Sequence, residues 1–388
     1  MNYNNPSYLR TARIIAIVCG SLFCIFSYLY LWKVQGGILG MAQHVLSKGL
    51  TVYYPPVGAG IITLLLLLLQ MLLNSFFKLQ REWHCVSFFP SFFTLAMMSS
   101  VAATAYTHFQ FGHWIWLYPV GMVVFFFVVS FFKHLTTTFD TRAGGIIVRT
   151  LIPNLITFII LAVMCLWLSD TKEVTYYRYA IEYNLSKGNI DEALEIGSRS
   201  KVSSPEIAAL RVYSLQKKDL LGERLFLYPQ DYGADGMLLN LSDSVRMVFP
   251  PMQLYRELGA YPNSENQPTV EFLELLNNSN QAKQPMAEQY LLCAYLLERN
   301  LDKFADKLKK VYHFEEDSVV KLPRYYQEAL VLYQHIRPGR INYKNSIQET
   351  NYEDYKRLVR SSSISQVSMN ISRTDFGKTY WWYYDNVK

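Results

Sequence analysis

The stretch VGAGIITLLLLLLQMLLNSFF, residues 57–77, decides the fold of the first half of the chain. It contains no charged residue, and a helix of roughly 20 apolar residues crosses the hydrocarbon core of a bilayer, about 30 Å thick. Four further stretches share this character, apart from Arg13 at the edge of the first. They are ARIIAIVCGSLFCIFSYLYLW (12–32), CVSFFPSFFTLAMMSSVAATAY (85–106), WIWLYPVGMVVFFFVVSFF (114–132) and LIPNLITFIILAVMCLWLS (151–169). The sequence therefore predicts an N-terminal bundle of five transmembrane helices.

The first stretch also invites comparison with a cleaved signal peptide. It is longer than the apolar core of a typical signal peptide, and no clear small-x-small cleavage site follows it. We therefore expect residues 12–32 to stay in the protein as a transmembrane helix.

Charge is distributed unevenly along the 388 residues. Only nine of the 37 basic and three of the 31 acidic residues precede residue 171, so the net charge of +6 belongs to the first part. The rest is balanced, and its apolar residues follow a helical period with polar faces. These changes predict a transmembrane domain over 1–170 and a helical domain over 171–388. A basic balance confined to membrane-flanking loops does not indicate a nucleic-acid partner.

The basic residues also predict an orientation, because cytoplasmic loops carry the excess of Lys and Arg. The N-terminus, the second loop and the fourth loop share one side, with Arg10, Arg13, Lys78, Arg81, Lys133, Arg142 and Arg149. The opposite side has only Lys33 and Lys48, both in the first loop. Five spans then place the C-terminal domain outside the cytoplasm. We expect a bacterial inner-membrane protein with a cytoplasmic N-terminus and a periplasmic C-terminal domain.

The C-terminal half contains helix pairs that resemble tetratricopeptide repeats, which are antiparallel pairs of about 34 residues. One predicted helix covers about 174–186 and ends near Gly188, and a second covers about 190–199 and contains Ala193. Pro205 then opens a third. These three residues match the turn glycine, the small packing residue and the closing proline of the repeat. We expect an α-helical, tetratricopeptide-like solenoid, with unrelated amphipathic helix pairs as the alternative.

A second such pair is predicted further along, with Asn300 at its turn and Ala305 as its packing residue. The segment 322–339 supplies another helix, opened by Pro323. The C-terminal half contains one cysteine, Cys293, and therefore no internal disulfide.

The chain closes with an aromatic run that disordered tails lack. It consists of Tyr380, Trp381, Trp382, Tyr383 and Tyr384. We expect this tail to dock, either by capping the last helices or at the membrane interface, where Trp and Tyr are enriched.

The first loop, GGILGMAQHVLSKGLTVYYPP (36–56), is long enough for a binding or catalytic role. Its apolar residues instead favour a short helix that lies along the membrane surface. They are Ile38, Met41, Val45 and Leu46, with Leu39 at the edge. Gly49 would end this helix.

Residues capable of chemistry are sparse. The loops on the predicted outer side lack carboxylates, which argues against the metal-dependent lipid-linked glycosyltransferases. His44, His108 and His113 form the one candidate polar site there, and three histidines can bind a catalytic zinc. Their spacing is not diagnostic, and hydrogen-bonded structural histidines are the alternative. The sequence contains no phosphate loop, GxSxG or CxxC, so we expect no cofactor and no catalytic centre.

The chain resembles an uncharacterised family of bacterial polytopic membrane proteins with a QHVLS-type first outer loop and a helical-repeat C-terminal half. The residues that support this are Gln43–Ser47 with Thr51 and Tyr53, the segment LPRYYQEAL (322–330), and FGKTYW (376–381). The resemblance implies the architecture and no activity.

Two functions are consistent with these features. The first is a membrane-anchored scaffold or adaptor, with no chemistry of its own, whose exported helical domain binds a protein or peptide. The second is a component of an enzyme or transport system for an envelope glycan or lipid-linked polymer, which would use the three histidines. Membrane lipid is a partner in both.

Overall fold

A computed structural model of the chain describes residues 6–47, 50–77, 79, 81–104, 111–135, 146–170, 172–241, 247, 249–264, 267–278, 285–313, 321–362 and 374–386. These residues form helices and irregular connections, with no β-strand among them, so the all-α prediction is confirmed. The chain divides into two compact units. The first comprises Met1–Tyr179 and Asp243–Val248, and the second comprises Ala180–Ser242 and Phe249–Lys388.

The first unit is a bundle of long apolar helices. They are α1 (Pro6–Leu29) with a π-helical turn (Tyr30–Val34), α2 (Gly36–Leu46), α3 (Pro55–Phe77), a 3-10 segment (Arg81–Phe88) leading into α4 (Phe89–Thr104), α5 (Trp114–Leu135) and α6 (Ile146–Leu168). Among the described residues, four segments are long and apolar enough to cross a membrane: Arg10–Val34, Pro55–Phe77, Trp114–Phe131 and Thr150–Leu168.

The stretch predicted as a span at 85–106 is not one of these four. This segment starts as the 3-10 turns and continues as α4, whose 16 residues cover about 24 Å at 1.5 Å per residue. Phe92 and Leu95 of α4 are fully buried, whereas Leu65 and Leu72 of α3 are 59% and 68% exposed. A helix that is apolar all round is either an interior helix or a membrane span with a lipid-facing surface, and the burial of Phe92 and Leu95 places α4 in the interior. The apolar sequence of α4 therefore reflects burial in the bundle.

Side-chain contacts fix the directions of α3 and α4. Gln70 Nε2 donates to Ser87 Oγ at 2.7 Å, and Ser91 Oγ donates to the Leu66 carbonyl at 2.8 Å. The contact moves from residue 70 to residue 66 in α3 while it moves from residue 87 to residue 91 in the segment that leads into α4. The two segments therefore run antiparallel. Hydrogen bonds that Ser and Gln side chains make across helices are typical of membrane bundles.

The remaining helices continue this alternation. Phe89 stacks on Phe125, and Thr94 is 3.1 Å from the Tyr118 hydroxyl, so α5 is antiparallel to α4. The Cys85 amide donates to Asn154 Oδ1 at 2.7 Å, and the rings of Phe92 and Phe158 are 5.4 Å apart. Numbers rise together in this case, so α6 is parallel to α4. The chain thus reverses direction at each step from α3 to α6.

The first loop forms a helix, but its apolar side does not face lipid. Ile38, Leu39 and Met41 of α2 are buried in the bundle core, while Leu46 is 61% exposed. The helix already starts at Gly36, because the chain bends at Gln35. The predicted end at Gly49 and the side chain of Val45 lie outside what the structure describes.

The second half of the chain is a series of shorter helices. They are α7 (Glu173–Ser186), α8 (Ile190–Glu195), α9 (Pro205–Lys217), α10 (Leu221–Arg224), α11 (Pro251–Leu258), α12 (Thr269–Asn278), α13 (Pro285–Leu297), α14 (Leu301–Tyr312), α15 (Arg324–Ile336), α16 (Ser346–Ser362) and α17 (Tyr380–Asn386). Short 3-10 turns cover Leu225–Leu227 and Gly233–Met237. Ten consecutive residues of α9, from Ile207 to Gln216, are buried, so this helix lies in the interior of the second unit.

Three turns between consecutive helices share one geometry. Gly188, Asp219 and Arg299 have φ values of 78°, 55° and 58°. In each turn, the backbone amide of the residue that follows the left-handed residue donates to the carbonyl five residues before it. An example is the Asn300 amide, which donates to the Tyr295 carbonyl. This is the Schellman arrangement, which satisfies the last carbonyls of a helix. The pairs α7–α8, α9–α10 and α13–α14 are therefore closed by the same device.

Helix α8 is shorter than the predicted 190–199. It ends at Glu195, and Gly197 has a φ of 60°, which breaks the helix. The buried Arg211 donates to the carbonyls of Ile196 and Gly197 at 3.3 and 3.0 Å. A cation at a helix C-terminus stabilises the helix, because it interacts favourably with the negative end of the helix dipole.

Candidate functional site

The three histidines of the predicted polar site are described only in part. His44 lies in α2, but its side chain is not described, and His108 falls outside the described residues. His113 is exposed in the turn before α5, with its ring 5.6 Å from that of Trp114. Within the described part of the chain, no group of three or more His, Cys, Asp or Glu side chains is arranged to hold a metal ion. The three-histidine site stays a prediction.

The aromatic tail is placed against helices of the second unit. Tyr380, Trp381 and Tyr383 are buried, and Trp382 and Tyr384 are half-buried. The hydroxyls of Tyr380 and Tyr383 donate to the last carbonyls of α13, those of Leu296 and Leu297, at 3.2 and 2.8 Å. These hydrogen bonds satisfy carbonyls at the end of the helix that have no partner within the helix.

Glu328 anchors this tail from the interior of α15. Its Oε2 accepts a hydrogen bond from the Tyr380 amide at 2.7 Å, and its Oε1 accepts one from Arg324 Nε at 2.7 Å. The Trp381 indole donates to the Glu328 carbonyl, also at 2.7 Å. Burial raises the pKa of Glu328 above its ordinary value, while Arg324 and the Tyr380 amide oppose that rise. Sequence reasoning missed this role of Glu328, because a glutamate within a helix usually lies on the exposed face.

A cleft of about 670 Å³ lies in the second unit. One wall is the start of α9, with Pro205 and Glu206. Another wall consists of residues 262–264, 267–269 and Phe272, at the start of α12 and before it. Volumes of this size are typical of ligand sites.

A segment of the chain without helix also lines the cleft. Leu238, Leu239, Asn240 and Leu241 line the cleft without belonging to a helix. Tyr255 of α11 fixes this segment, because its hydroxyl donates to the Leu239 carbonyl at 2.5 Å. The position of the segment is thus set by packing before anything binds.

The cleft is apolar at its base and acidic at its edge. Leu239, Tyr255 and Phe272 are at most 4% exposed and form the base. Glu206 accepts a hydrogen bond from Ser204 Oγ at 2.7 Å, and Asp235 accepts one from the Thr269 amide at 3.2 Å. No Lys, Arg or His is among its described lining residues. The arrangement suits a ligand that pairs an apolar group with a basic one.

Residues 228–237 and 261–269 contain the Pro, Gly and Asn residues that are typical of loops, and composition alone predicts nothing more for them. Sequence reasoning therefore missed this cleft. The Pro, Gly and Asn content of the two stretches predicted the absence of helix correctly over much of their length. It could not predict that the two loops lie beside each other, because that depends on how α9, α11 and α12 pack.

The fold and the cleft define an all-α protein that combines a bundle of helices long enough to cross a membrane with a helical unit bearing a potential binding cleft. The chain belongs to a family of unknown function (DUF6057), whose model matches residues 100–267 and 252–386. The prediction of an uncharacterised family is confirmed. The matched residues include the cleft and the aromatic tail, whereas the QHVLS stretch precedes them. Neither the curated proteins nor the solved structures contain a significant match.

Proposed function

We propose that this protein is a membrane-anchored adaptor whose second unit binds an extended segment of a protein partner in the cleft. The observation that supports this is the combination of an apolar base with two carboxylates at the edge. An aliphatic or aromatic side chain of the partner would occupy the base beside Tyr255 and Phe272. A neighbouring Lys or Arg would pair with Glu206 and Asp235, since charge-assisted hydrogen bonds are the strong ones.

The three equivalent helix pairs support the same proposal. We infer that they form a tetratricopeptide-like stack, because repeated helical hairpins make extended concave surfaces for peptides. The left-handed residues Gly188 and Asp219 are 31 positions apart, near the repeat length of about 34 residues.

We also propose that α4 crosses the membrane inside the bundle, shielded from lipid by its neighbours. The alternating directions of α3, α4, α5 and α6 support this arrangement. With α1 it gives five passes, and the Lys and Arg bias then favours a cytoplasmic N-terminus and a periplasmic second unit in a bacterial inner membrane.

The adaptor proposal is tested by photo-crosslinking in native membranes. A photoreactive amino acid replaces the exposed Asn263 at the cleft in the full-length protein, and the matched control places it at the exposed Glu353 on α16. We expect discrete protein adducts at residue 263 and none of the same mass at residue 353.

The charges of the cleft are then neutralised without removing its hydrogen-bond acceptors. The double substitution Glu206→Gln and Asp235→Asn should weaken the residue 263 adducts about tenfold, which corresponds to ~1.4 kcal/mol. Glu353→Gln is the control for a change of surface charge. Adducts that persist unchanged in the double variant, or identical adducts at both positions, would contradict the proposal.

A further inference from the structure

A second cavity, of about 290 Å³, lies in the first unit where two helices of membrane-spanning length end. Lys33 and Val34, at the end of the membrane-length segment Arg10–Val34, line this cavity. Asp170, just after α6, also lines it. Because α1 and α6 end together here, the cavity is at the depth where the chain leaves the hydrocarbon core.

Gln35 is the unusual residue of this cavity. It follows the π-helical turn, a feature that is frequent at functional sites. Its backbone N–H donates to the Tyr30 carbonyl at 3.0 Å. Its side chain is fully buried, and Nε2 donates to the Tyr30 hydroxyl at 2.9 Å and to the Asp170 carbonyl at 3.2 Å. Its Oε1 has no hydrogen-bond partner among the described residues. A buried acceptor left in this state is costly, so a ligand that donates a hydrogen bond would be favoured.

Charges of both signs surround this acceptor. Lys33 and Lys172 line the cavity together with Asp170 and Glu173. A ligand that carries both a phosphate and a cationic hydrogen-bond donor would complement them, because the phosphate attracts the two lysines and the cation attracts the two carboxylates.

Aromatic residues at the same end of the bundle indicate the membrane–water interface. Tyr54 precedes α3, Trp116 is near the start of α5 and Trp167 is near the end of α6, and they are 66%, 77% and 83% exposed. Because α3 and α5 run opposite to α6, the starts of α3 and α5 are at the same end of the bundle as the end of α6. Exposed Trp and Tyr are typical of this interface.

We infer that this cavity binds the headgroup of a phospholipid with a primary ammonium group, as in phosphatidylethanolamine. The ammonium donates to Gln35 Oε1 and pairs with Asp170 and Glu173, while the phosphate lies near Lys33 and Lys172. A choline headgroup lacks N–H donors and leaves Gln35 unsatisfied. A glycerol headgroup donates hydrogen bonds but offers the two carboxylates no cation.

The test is native mass spectrometry of the full-length protein in micelles that contain phosphatidylethanolamine, phosphatidylcholine and phosphatidylglycerol in equal amounts. We expect retention of one phosphatidylethanolamine about tenfold above either of the other lipids. Equal retention of phosphatidylcholine would overturn the inference, as would equal retention of phosphatidylglycerol, which would indicate a site for phosphate alone.

Variants locate the binding site. Gln35→Leu removes the acceptor, and Glu173→Gln removes a charge from the exposed first turn of α7 without disturbing the bundle. Both should abolish the preference, whereas Gln43→Leu, which alters an exposed hydrogen bond to Thr51, should preserve it. Because Glu173 is exposed, its variant tests the inference even if Gln35→Leu fails to fold. A preference that survives either substitution would overturn the assignment.

Discussion

Glu328 shows how one buried carboxylate organises the end of the chain. Its two oxygens accept hydrogen bonds from the Tyr380 amide and from Arg324, each at 2.7 Å. Glu328→Ala leaves a buried amide without an acceptor, which costs about 1–3 kcal/mol, in addition to the lost packing. We expect the variant to destabilise the second unit by about 3 kcal/mol.

The single cysteine of the second unit provides the measurement. Burial raises the pKa of Cys293 to about 12, and its side chain is fully buried, so alkylation requires unfolding. Pulsed alkylation in increasing urea, read at residue 293 by mass spectrometry, separates this unit from the four cysteines of the first half. Glu353→Ala on the exposed surface is the control. An unchanged urea midpoint for Glu328→Ala would show that the tail is anchored without this carboxylate.

Gly188 tests the shared turn at the same scale. Its φ of 78° lies in the left-handed region, and a Cβ placed there would meet no atom within 4 Å. Gly188→Ala should therefore destabilise through backbone strain alone, by about 1 kcal/mol. Gly188→Asn should cost less, because Asn tolerates this conformation. The urea midpoint for alkylation of Cys293 measures the stability of both variants. Equal midpoints for Gly188→Ala and Gly188→Asn would show that the left-handed φ of residue 188 does not determine the cost.

At the scale of elements, periodicity predicted most helices because it depends only on neighbouring residues. Pro205 and Pro323 marked the starts of α9 and α15 correctly for this reason. Periodicity could not distinguish α4 from the lipid-facing helices, since an interior helix and a lipid-facing helix have equally apolar sequences. It also failed for the cleft and for the Gln35 cavity, where residues distant in sequence meet through packing.

The contact between α4 and α5 depends on Gly121. A Cβ at this position would lie 2.5 Å from the ring of Phe93, so a side chain there forces the buried ring or the two helices to shift. Overpacking of this kind costs about 1–3 kcal/mol. Gly121→Ala should lower the thermal unfolding midpoint of the detergent-solubilised protein. Gly20→Ala in α1 is the matched control, because a Cβ there meets nothing within 4 Å. Equal midpoints for the two variants would show that α4 and α5 are not closely packed at this level.

At the scale of the whole molecule, the number of membrane passes decides where the cleft lies. The exposed positions Thr51 and Lys187 are separated along the chain by α3, α4, α5 and α6. If α4 crosses inside the bundle, four passes separate them and both lie on the same side. If α4 does not cross, three passes separate them and they lie on opposite sides.

Cysteine labelling in spheroplasts distinguishes these arrangements. Thr51→Cys and Lys187→Cys should both react with a membrane-impermeant maleimide from outside, whereas Arg10→Cys on the exposed start of α1 should react only after permeabilisation. The wild-type protein is the background control, because its five cysteines are buried or half-buried. Labelling of Thr51→Cys and Lys187→Cys from opposite sides would mean that α4 is an interior helix that turns back. In that case the cleft would face the cytoplasm, and any partner of the second unit would have to be sought there.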